Sequence, residues 1–170
     1  MGPKRTIDPA EVSDQDAYKL LIGLVVPRPI GWIGSVDAAG VRNLAPYSFF
    51  NAVAATPPTV LFSPLSRSGG AKDTLSNVRE TGEFTVNVAS YDLADSMNSS
   101  SAAHPREVDE FEVTGLTPVV GSKVAAPLVA EAKANLECVV TQLVPVGRPP
   151  LDGTLVIGEV VAFHVADGLL

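Results

Sequence analysis

The fold of this chain is decided by the segment Pro27-Arg-Pro-Ile-Gly-Trp-Ile-Gly-Ser-Val-Asp-Ala-Ala-Gly-Val-Arg-Asn-Leu-Ala-Pro-Tyr-Ser-Phe-Phe-Asn51. Residues 30–37 predict a strand and residues 41–45 predict its antiparallel return. The loop between them, 37–40, ends in Gly40, which is free to adopt a positive φ. Pro46 limits the backbone hydrogen bonds that the second strand can donate. The segment then ends in small and aromatic residues, which suit contact with a flat ring.

Strands predominate in the rest of the chain. Residues 59–63 predict a buried strand, residues 84–88 alternate with period two, and residues 135–144 and 153–165 contain few breakers. The last strand is apolar on both faces, so we expect it to be covered on both sides. Helices are predicted only after Ser13, after residue 72 and within 91–101. The first is expected to pack inward through Tyr18, Leu21, Ile22 and Val25. About seven strands with so few helices favour a closed or nearly closed antiparallel barrel over a parallel α/β fold.

Composition and charge restrict the function. The chain has 170 residues and a net charge of −7, which argues against nucleic-acid binding because that requires a basic surface. Cys138 is the only cysteine and there are two histidines, so neither a disulfide framework nor a metal site is expected. No apolar run suggests a signal core or a membrane span, so we expect a cytoplasmic protein that does not bind membranes. We expect residues 1–12 to be a mobile arm and residues 13–170 to be one domain.

A candidate anion site lies in Arg67-Ser-Gly-Gly-Ala-Lys-Asp-Thr74. The glycines allow backbone amides to turn inward, while Lys72 supplies a cation and Thr74 a hydroxyl near a helix N-terminus, which favours a phosphate. Asp73 is the expected helix cap. A solvated loop before an ordinary helix is the competing interpretation, and the segment taken alone favours it.

A candidate ring site lies at residues 43–51. Small residues there let a ring approach the backbone, and Phe49 could flank it. A core strand with packed phenylalanines is the alternative, and Trp32 is more often a core or interface residue than a cofactor lid. We expect His164 to be structural, whereas His104, in a polar loop, could reach the mouth of an active site. The acidic run at 109–112 is expected to be a solvated turn.

Taken together, these segments resemble the flavin reductase-like, FMN-binding split-barrel family. The matching blocks are Pro27-Arg-Pro-Ile-Gly-Trp-Ile-Gly-Ser35, Asn43-Leu-Ala-Pro-Tyr-Ser-Phe-Phe-Asn51, Pro57-Pro58, Lys72-Asp-Thr74, Gly82-Glu-Phe-Thr-Val-Asn87, Asp109-Glu-Phe-Glu-Val-Thr-Gly-Leu-Thr117, Leu136-Glu-Cys138 and Leu155-Val-Ile-Gly-Glu-Val160. They cover most of the chain, and the first two are specific. The resemblance implies a mainly β fold, namely an antiparallel split β-barrel of Greek-key type with a few short helices.

The resemblance also implies a cofactor site. The residues expected to bind the flavin ring or its phosphate are Trp32, Ser35, Asn43, Ala45, Ser48, Phe49, Asn51, Ser63, Arg67, Lys72, Asp73 and Thr74. The expected cofactor is FMN, with FAD as the alternative, bound near the interface of a homodimer. NADH or NADPH would be the reductant, and a partner monooxygenase could receive the reduced flavin.

The resemblance leaves three functions open. The first is an NAD(P)H:flavin reductase, in which the flavin does the chemistry and no catalytic side chain is needed. The second is a flavin-binding electron-transfer or storage protein without nicotinamide activity. It is favoured by one departure, since Asp152-Gly-Thr154 stands where many flavin reductases carry Gly-Asp-His before the last strand. The third is a structural barrel that has lost its cofactor.

Overall fold

The computed structural model describes residues 2–66 and 72–170. Its strands are β1 (Gly31–Val36), β2 (Arg42–Tyr47), β3 (Phe50–Ala55), β4 (Pro58–Phe62), β5 (Glu83–Asn87), β6 (Pro118–Val119), β7 (Leu128–Val129), β8 (Ala134–Val146) and β9 (Gly153–Val165). Its α-helices are α1 (Asp14–Leu24), α2 (Asp73–Thr81), α3 (Ala94–Ser99) and α4 (Glu110–Thr114). Residues 2–11 are exposed, with one 3-10 turn at Pro9–Glu11; the mobility of this arm stays a prediction.

Seven of the strands form one antiparallel sheet in the order β2-β1-β5-β8-β9-β4-β3. β2 and β3 are its two edges, although only Ser48 and Phe49 separate them in the chain. The sheet must therefore curl until its edges approach each other at this connection. One contact shows this approach: a Cβ placed on Gly31, in β1 beside the β2 edge, would lie 2.5 Å from the ring of Phe50 at the start of β3.

The curled sheet has a core on each of its faces. One cluster includes Ile33, Phe62 and Phe84, with the Phe62 and Phe84 rings 5.1 Å apart between centroids. The other cluster includes Trp32 and Phe111 and lies on the opposite face, beneath α3 and α4. Successive residues of β1 thus serve the two clusters, as the alternation of side chains along a strand requires.

The local signals for the helices were largely correct. Ser13 caps α1 by accepting from Asp16 N at 3.1 Å, as predicted, and Gly82 ends α2 with φ +73. Asp73, however, is the first residue of α2 and not its cap. The residue at the cap position is Lys72, whose side chain makes no capping hydrogen bond.

The apolar face of α1 was expected to pack inward, and this expectation was wrong for the single chain. No residue of α1 is buried, and Leu24 is 79% exposed. β9 has the predicted bounds, and one of its faces is buried as far as Val160. The other face is half-buried up to Val161 and then exposed in the single chain, with Phe163 59% exposed. Among the described residues, no helix has the length and apolarity needed to cross a membrane.

Candidate functional site

A cleft follows β2 to its junction with β3 and consists of three adjoining cavities. The polar cavity, of about 420 Å³, lies between β2, the start of α2 and residues 100–104. The apolar cavity, of about 510 Å³, lies between the end of α1, the β2–β3 junction and the β8–β9 loop. A connecting cavity of about 280 Å³ shares Tyr47 and Lys72 with the polar cavity and Ser48, Phe49 and Ser63 with the apolar one.

The residues expected from the sequence divide between these cavities. Asn43, Ala45, Lys72, Asp73 and Thr74 line the polar cavity. Ser48, Phe49, Asn51 and Ser63 line the apolar cavity. The two expected groups therefore lie in one cleft, with Lys72 where the polar and connecting cavities meet. Arg67 lies outside the described residues.

Trp32 and Ser35 are fully buried and line none of the three cavities, so their expected contact with a cofactor stays a prediction. Trp32 Nε1 donates to Ser100 Oγ at 2.9 Å, and Ser100 lines the polar cavity. Ser35 Oγ accepts from Asn77 Nδ2 at 3.1 Å and donates to Asn43 Oδ1 at 3.4 Å. Through these hydrogen bonds, each supports a residue of the cavity wall.

Lys72 brings positive charge to the cleft in an otherwise acidic protein. Its Nζ lies 5.1 Å from the centroid of the Tyr47 ring, in a cation–π arrangement. It immediately precedes α2, and its side chain makes no capping hydrogen bond to that helix. A cation beside a helix N-terminus is a favourable environment for an anionic group.

A chain of hydrogen bonds forms the inner wall of the polar cavity. Tyr47 Oη donates to Thr74 Oγ1 at 2.9 Å, and Thr74 Oγ1 donates to Asn43 Oδ1 at 2.6 Å. Asn43 Nδ2 in turn donates to Glu110 Oε2 at 3.1 Å. Asn43 and Thr74 are both buried, so each keeps its donor and acceptor partners within this series of hydrogen bonds.

The sequence did not predict Glu110 to be a residue of this site. The run at 109–112 is not a solvated turn: Asp109 caps α4 by accepting from Phe111 N at 2.9 Å, and it accepts from Arg42 Nε at 2.6 Å. Glu110 points inward and is only 6% exposed. Burial raises the pKa of its carboxyl, while hydrogen bonds from Leu44 N and Asn43 and the charge of His104 oppose that rise. Asp109 two positions before the apolar Phe111, with Gly115 five positions after Glu110, was the available signal for a short capped helix.

Two further side chains border the cleft. His104 lines the polar cavity, and its Nε2 is buried without a hydrogen-bond partner among the residues described. Arg28 lines the apolar cavity and closes the end of α1, since its Nη1 donates to Ile22 O and, at 2.7 Å, to Val25 O. His164, by contrast, contacts the buried Glu137 at 2.6 Å and lines none of the three cavities.

Comparison with known proteins identifies the group to which this chain belongs. Residues 23–170 match the model of the flavin reductase like domain. The chain is 41% identical over 161 residues to a protein of Aquifex aeolicus, covering 94% of this chain and 80% of that protein. It is similar to the structure of nitrilotriacetate monooxygenase component B from Bacillus cereus, with a TM-score of 0.96 and 38% identity over 100% of this chain and 85% of that one. A protein of Shewanella frigidimarina with a split-barrel domain gives a TM-score of 0.79 and 25% identity, covering 93% and 77%.

The curled antiparallel sheet with few helices is therefore a split β-barrel, and the fold predicted from the sequence is confirmed. The chain belongs to the flavin reductase-like family. The family is one of flavin-related oxidoreductases, which fits a cleft that combines small residues, aromatic residues and a cation.

Proposed function

We propose that this protein is an FMN-dependent oxidoreductase of the NAD(P)H:flavin reductase type, which supplies reduced flavin to a partner monooxygenase. The observation that carries the proposal is the position of Lys72. It stands at the N-terminus of α2, where its own side chain makes no capping hydrogen bond, and borders both the polar and the connecting cavities of the cleft along β2. A ligand with a flat ring and an anionic tail finds complementary groups along this cleft.

The chain's own residues would bind and orient the cofactor. The segment from Ala45 to Asn51 would hold the ring near the backbone, and Lys72 with the first amides of α2 would hold the phosphate. When bound, FMN supplies the hydride-accepting chemistry, which requires no acid or base from the protein. The buried Asn43 and Thr74 would fix the polar wall against which the ligand lies.

FMN suits this site better than FAD for an electrostatic reason. A terminal phosphomonoester carries about −1.5 to −2 charges at neutral pH. Lys72 and the positive end of the α2 dipole act on the same small region, so they stabilise a group with concentrated charge most strongly. The chain has a net charge of −7, which makes such a local positive site necessary for binding any anion.

The proposed partners are a second copy of this chain and a monooxygenase. Leu21 and Leu24 of α1, Val25 directly after it and, on a different element, Phe163 of β9 are exposed apolar side chains of the kind that a subunit covers. The likeness to nitrilotriacetate monooxygenase component B, at 38% identity over the whole of this chain, supports a role as the reductase component of a two-component system.

The second candidate function is a flavin-binding electron carrier without nicotinamide activity. The observation that favours it lies at the start of β9. Thr154 is buried and its N–H donates to Pro64 O at 3.3 Å, so this position offers the cleft no titratable side chain. Gly153 lies against Ser63, since a Cβ there would be 2.9 Å from Ser63 Oγ.

Anaerobic mixing of the FMN-loaded protein with NADH and, separately, NADPH tests the two functions. A reductase is expected to bleach the visible absorption of flavin within seconds and much faster than free FMN at the same concentrations. A carrier would bind FMN yet show no acceleration with either nucleotide. Failure to bind FMN or FAD at all would contradict both functions.

A further inference from the structure

A buried carboxyl that the proposed chemistry does not use stands behind the polar cavity. Glu110 begins α4, and its Oε2 accepts from Leu44 N at 3.0 Å and from Asn43 Nδ2 at 3.1 Å. β2 is an edge strand whose ladder partner in the described sheet is β1. The Leu44 N–H points away from β1 and would be buried without a partner if Glu110 were absent. Glu110 thus occupies the place of a missing neighbouring strand.

The same carboxyl determines which way the Asn43 amide faces. Glu110 Oε2 accepts both from the Leu44 N–H and from the Asn43 side chain, which therefore presents its NH₂ group to that oxygen. The Asn43 Oδ1 is then directed towards Thr74, whose hydroxyl donates to it at 2.6 Å. With its hydrogen committed in this way, the Thr74 oxygen accepts from Tyr47 at 2.9 Å.

The donor and acceptor roles along this hydrogen-bond chain therefore depend on the Glu110 carboxyl at its end. The four residues, Tyr47, Thr74, Asn43 and Glu110, all line the polar cavity. Without the acceptor at position 110, the Asn43 amide loses the partner of its NH₂ group, and the 3.4 Å bond from Ser35 Oγ and the bond from Thr74 Oγ1 are left to oppose a turn that would exchange donor and acceptor on the cavity wall. The hydrogen bond from the Leu44 N–H to Glu110, which ties the backbone of β2 to α4, is lost as well.

We propose that Glu110 is a positioning residue of the cofactor site. Acting through Asn43 and the edge of β2, it holds the wall of the polar cavity in the arrangement that binds the flavin. The inference rests on the proposed function, because its direct readout is the affinity for FMN.

A double-mutant cycle on the dissociation constant for FMN tests this role. The variants are Glu110→Met, which retains volume but has no acceptor, Asn43→Ala, and the two combined. Glu110→Met is expected to weaken FMN binding about tenfold, whereas adding it to Asn43→Ala should change the affinity less than about twofold. Glu110→Gln retains an acceptor oxygen for both donors and should restore the affinity to within about twofold of the wild type.

A matched control on the same helix distinguishes a positioning role of Glu110 from a purely structural one. Phe111 is 1% exposed and makes no hydrogen bond to Asn43 through its side chain, so Phe111→Leu should lower the melting temperature without changing the FMN dissociation constant.

Wild-type affinity in folded Glu110→Met, or effects of Glu110→Met and Asn43→Ala that simply multiply, would overturn the inference while leaving the proposed function intact. If Glu110→Met does not fold, Glu110→Ala is judged by the same thresholds, and failure of Glu110→Gln to restore binding would also overturn the inference. A wild-type protein that binds no flavin would instead overturn the proposed function itself.

Discussion

Tyr47 and Phe50 are three positions apart in the chain yet lie on opposite edges of the seven-stranded sheet, one ending β2 and the other beginning β3. Only a curled sheet allows this, so the connection through Ser48 and Phe49 is where the barrel is split. The cleft lies along this junction. Edge strands retain backbone groups that the sheet does not use, which makes the junction a suitable place for a ligand.

Replacing Lys72 with alanine should weaken FMN binding. Loss of one charged hydrogen bond corresponds to roughly 1.5–3 kcal/mol, or an increase of about 10- to 100-fold in the dissociation constant. Quenching of flavin fluorescence on titration measures the constant. Lys123→Ala, at an exposed position outside the cleft, is the control and should bind FMN as the wild type does. Unchanged affinity in Lys72→Ala would contradict the assignment of the phosphate to this region.

Gly34 should not tolerate a side chain. A Cβ at this position in β1 would lie 2.3 Å from Pro127 O and 2.4 Å from Thr85 Oγ1. We expect Gly34→Ala to lower the free energy of unfolding by roughly 1–3 kcal/mol, as overpacking does. The control is Gly23→Ala in α1, where a Cβ meets nothing within 4 Å; it should raise the same quantity by about 0.5–1 kcal/mol. Urea unfolding measures both, and equal effects would contradict this packing.

Glu137 should make the protein less stable in acid. It is fully buried and accepts from the backbone N–H groups of Ser122, Lys123 and Val124 at 2.7–2.8 Å. Burial alone raises the pKa of this carboxyl, but hydrogen bonds from Ser122, His164 and Lys123 outweigh burial and lower the pKa to about 2. The folded state therefore holds fewer protons than the unfolded state, and the stabilisation, about 3 kcal/mol, is present above the unfolded pKa of 4.5.

That stabilisation should disappear as the pH falls from 4.5 to about 2. Urea unfolding across this range should show a steeper loss of stability in the wild type than in Glu137→Gln, which cannot ionise. Glu80→Gln, at an exposed site on α2, should follow the wild type. Parallel curves for the wild type and Glu137→Gln would rule out the lowered pKa.

The thiol of Cys138 should be unreactive in the folded protein. Cys138 is fully buried, and burial, with a smaller contribution from the charge of Glu137, raises the pKa of the thiol to about 12. Because the thiolate is the reactive form, a disulfide reagent such as dithiobisnitrobenzoate should label the native protein very slowly and label it fully in denaturant. Rapid stoichiometric labelling under native conditions would show that this strand is accessible.

Local sequence patterns were enough to predict most of the strands. The bounds of β9 were predicted correctly because its thirteen residues contain few breakers, Gly153 and Gly158. Gly40 also adopts the positive φ expected of its hairpin. These features depend on neighbours in the chain. The barrel itself was predicted from the family resemblance, because local periodicity does not determine which distant strands pair.

The errors concern contacts between distant segments. Glu110 was assigned to a solvated turn because acidic runs are usually exposed, and nothing within 109–112 indicates that Leu44 and Asn43 supply donors to it. The burial of Trp32 likewise depends on Ser100, which is 68 positions away. The exposed face of α1 shows the opposite case, in which an amphipathic pattern is present but a single chain offers nothing to cover it.

The crystal structure of the protein soaked in FMN is the most direct test of the proposed cofactor site. We expect the isoalloxazine ring beside the segment from Ala45 to Asn51, and the phosphate within hydrogen-bonding distance of Lys72 Nζ. FMN bound elsewhere on the molecule, or a cleft that stays without FMN at saturating concentration, would contradict the account.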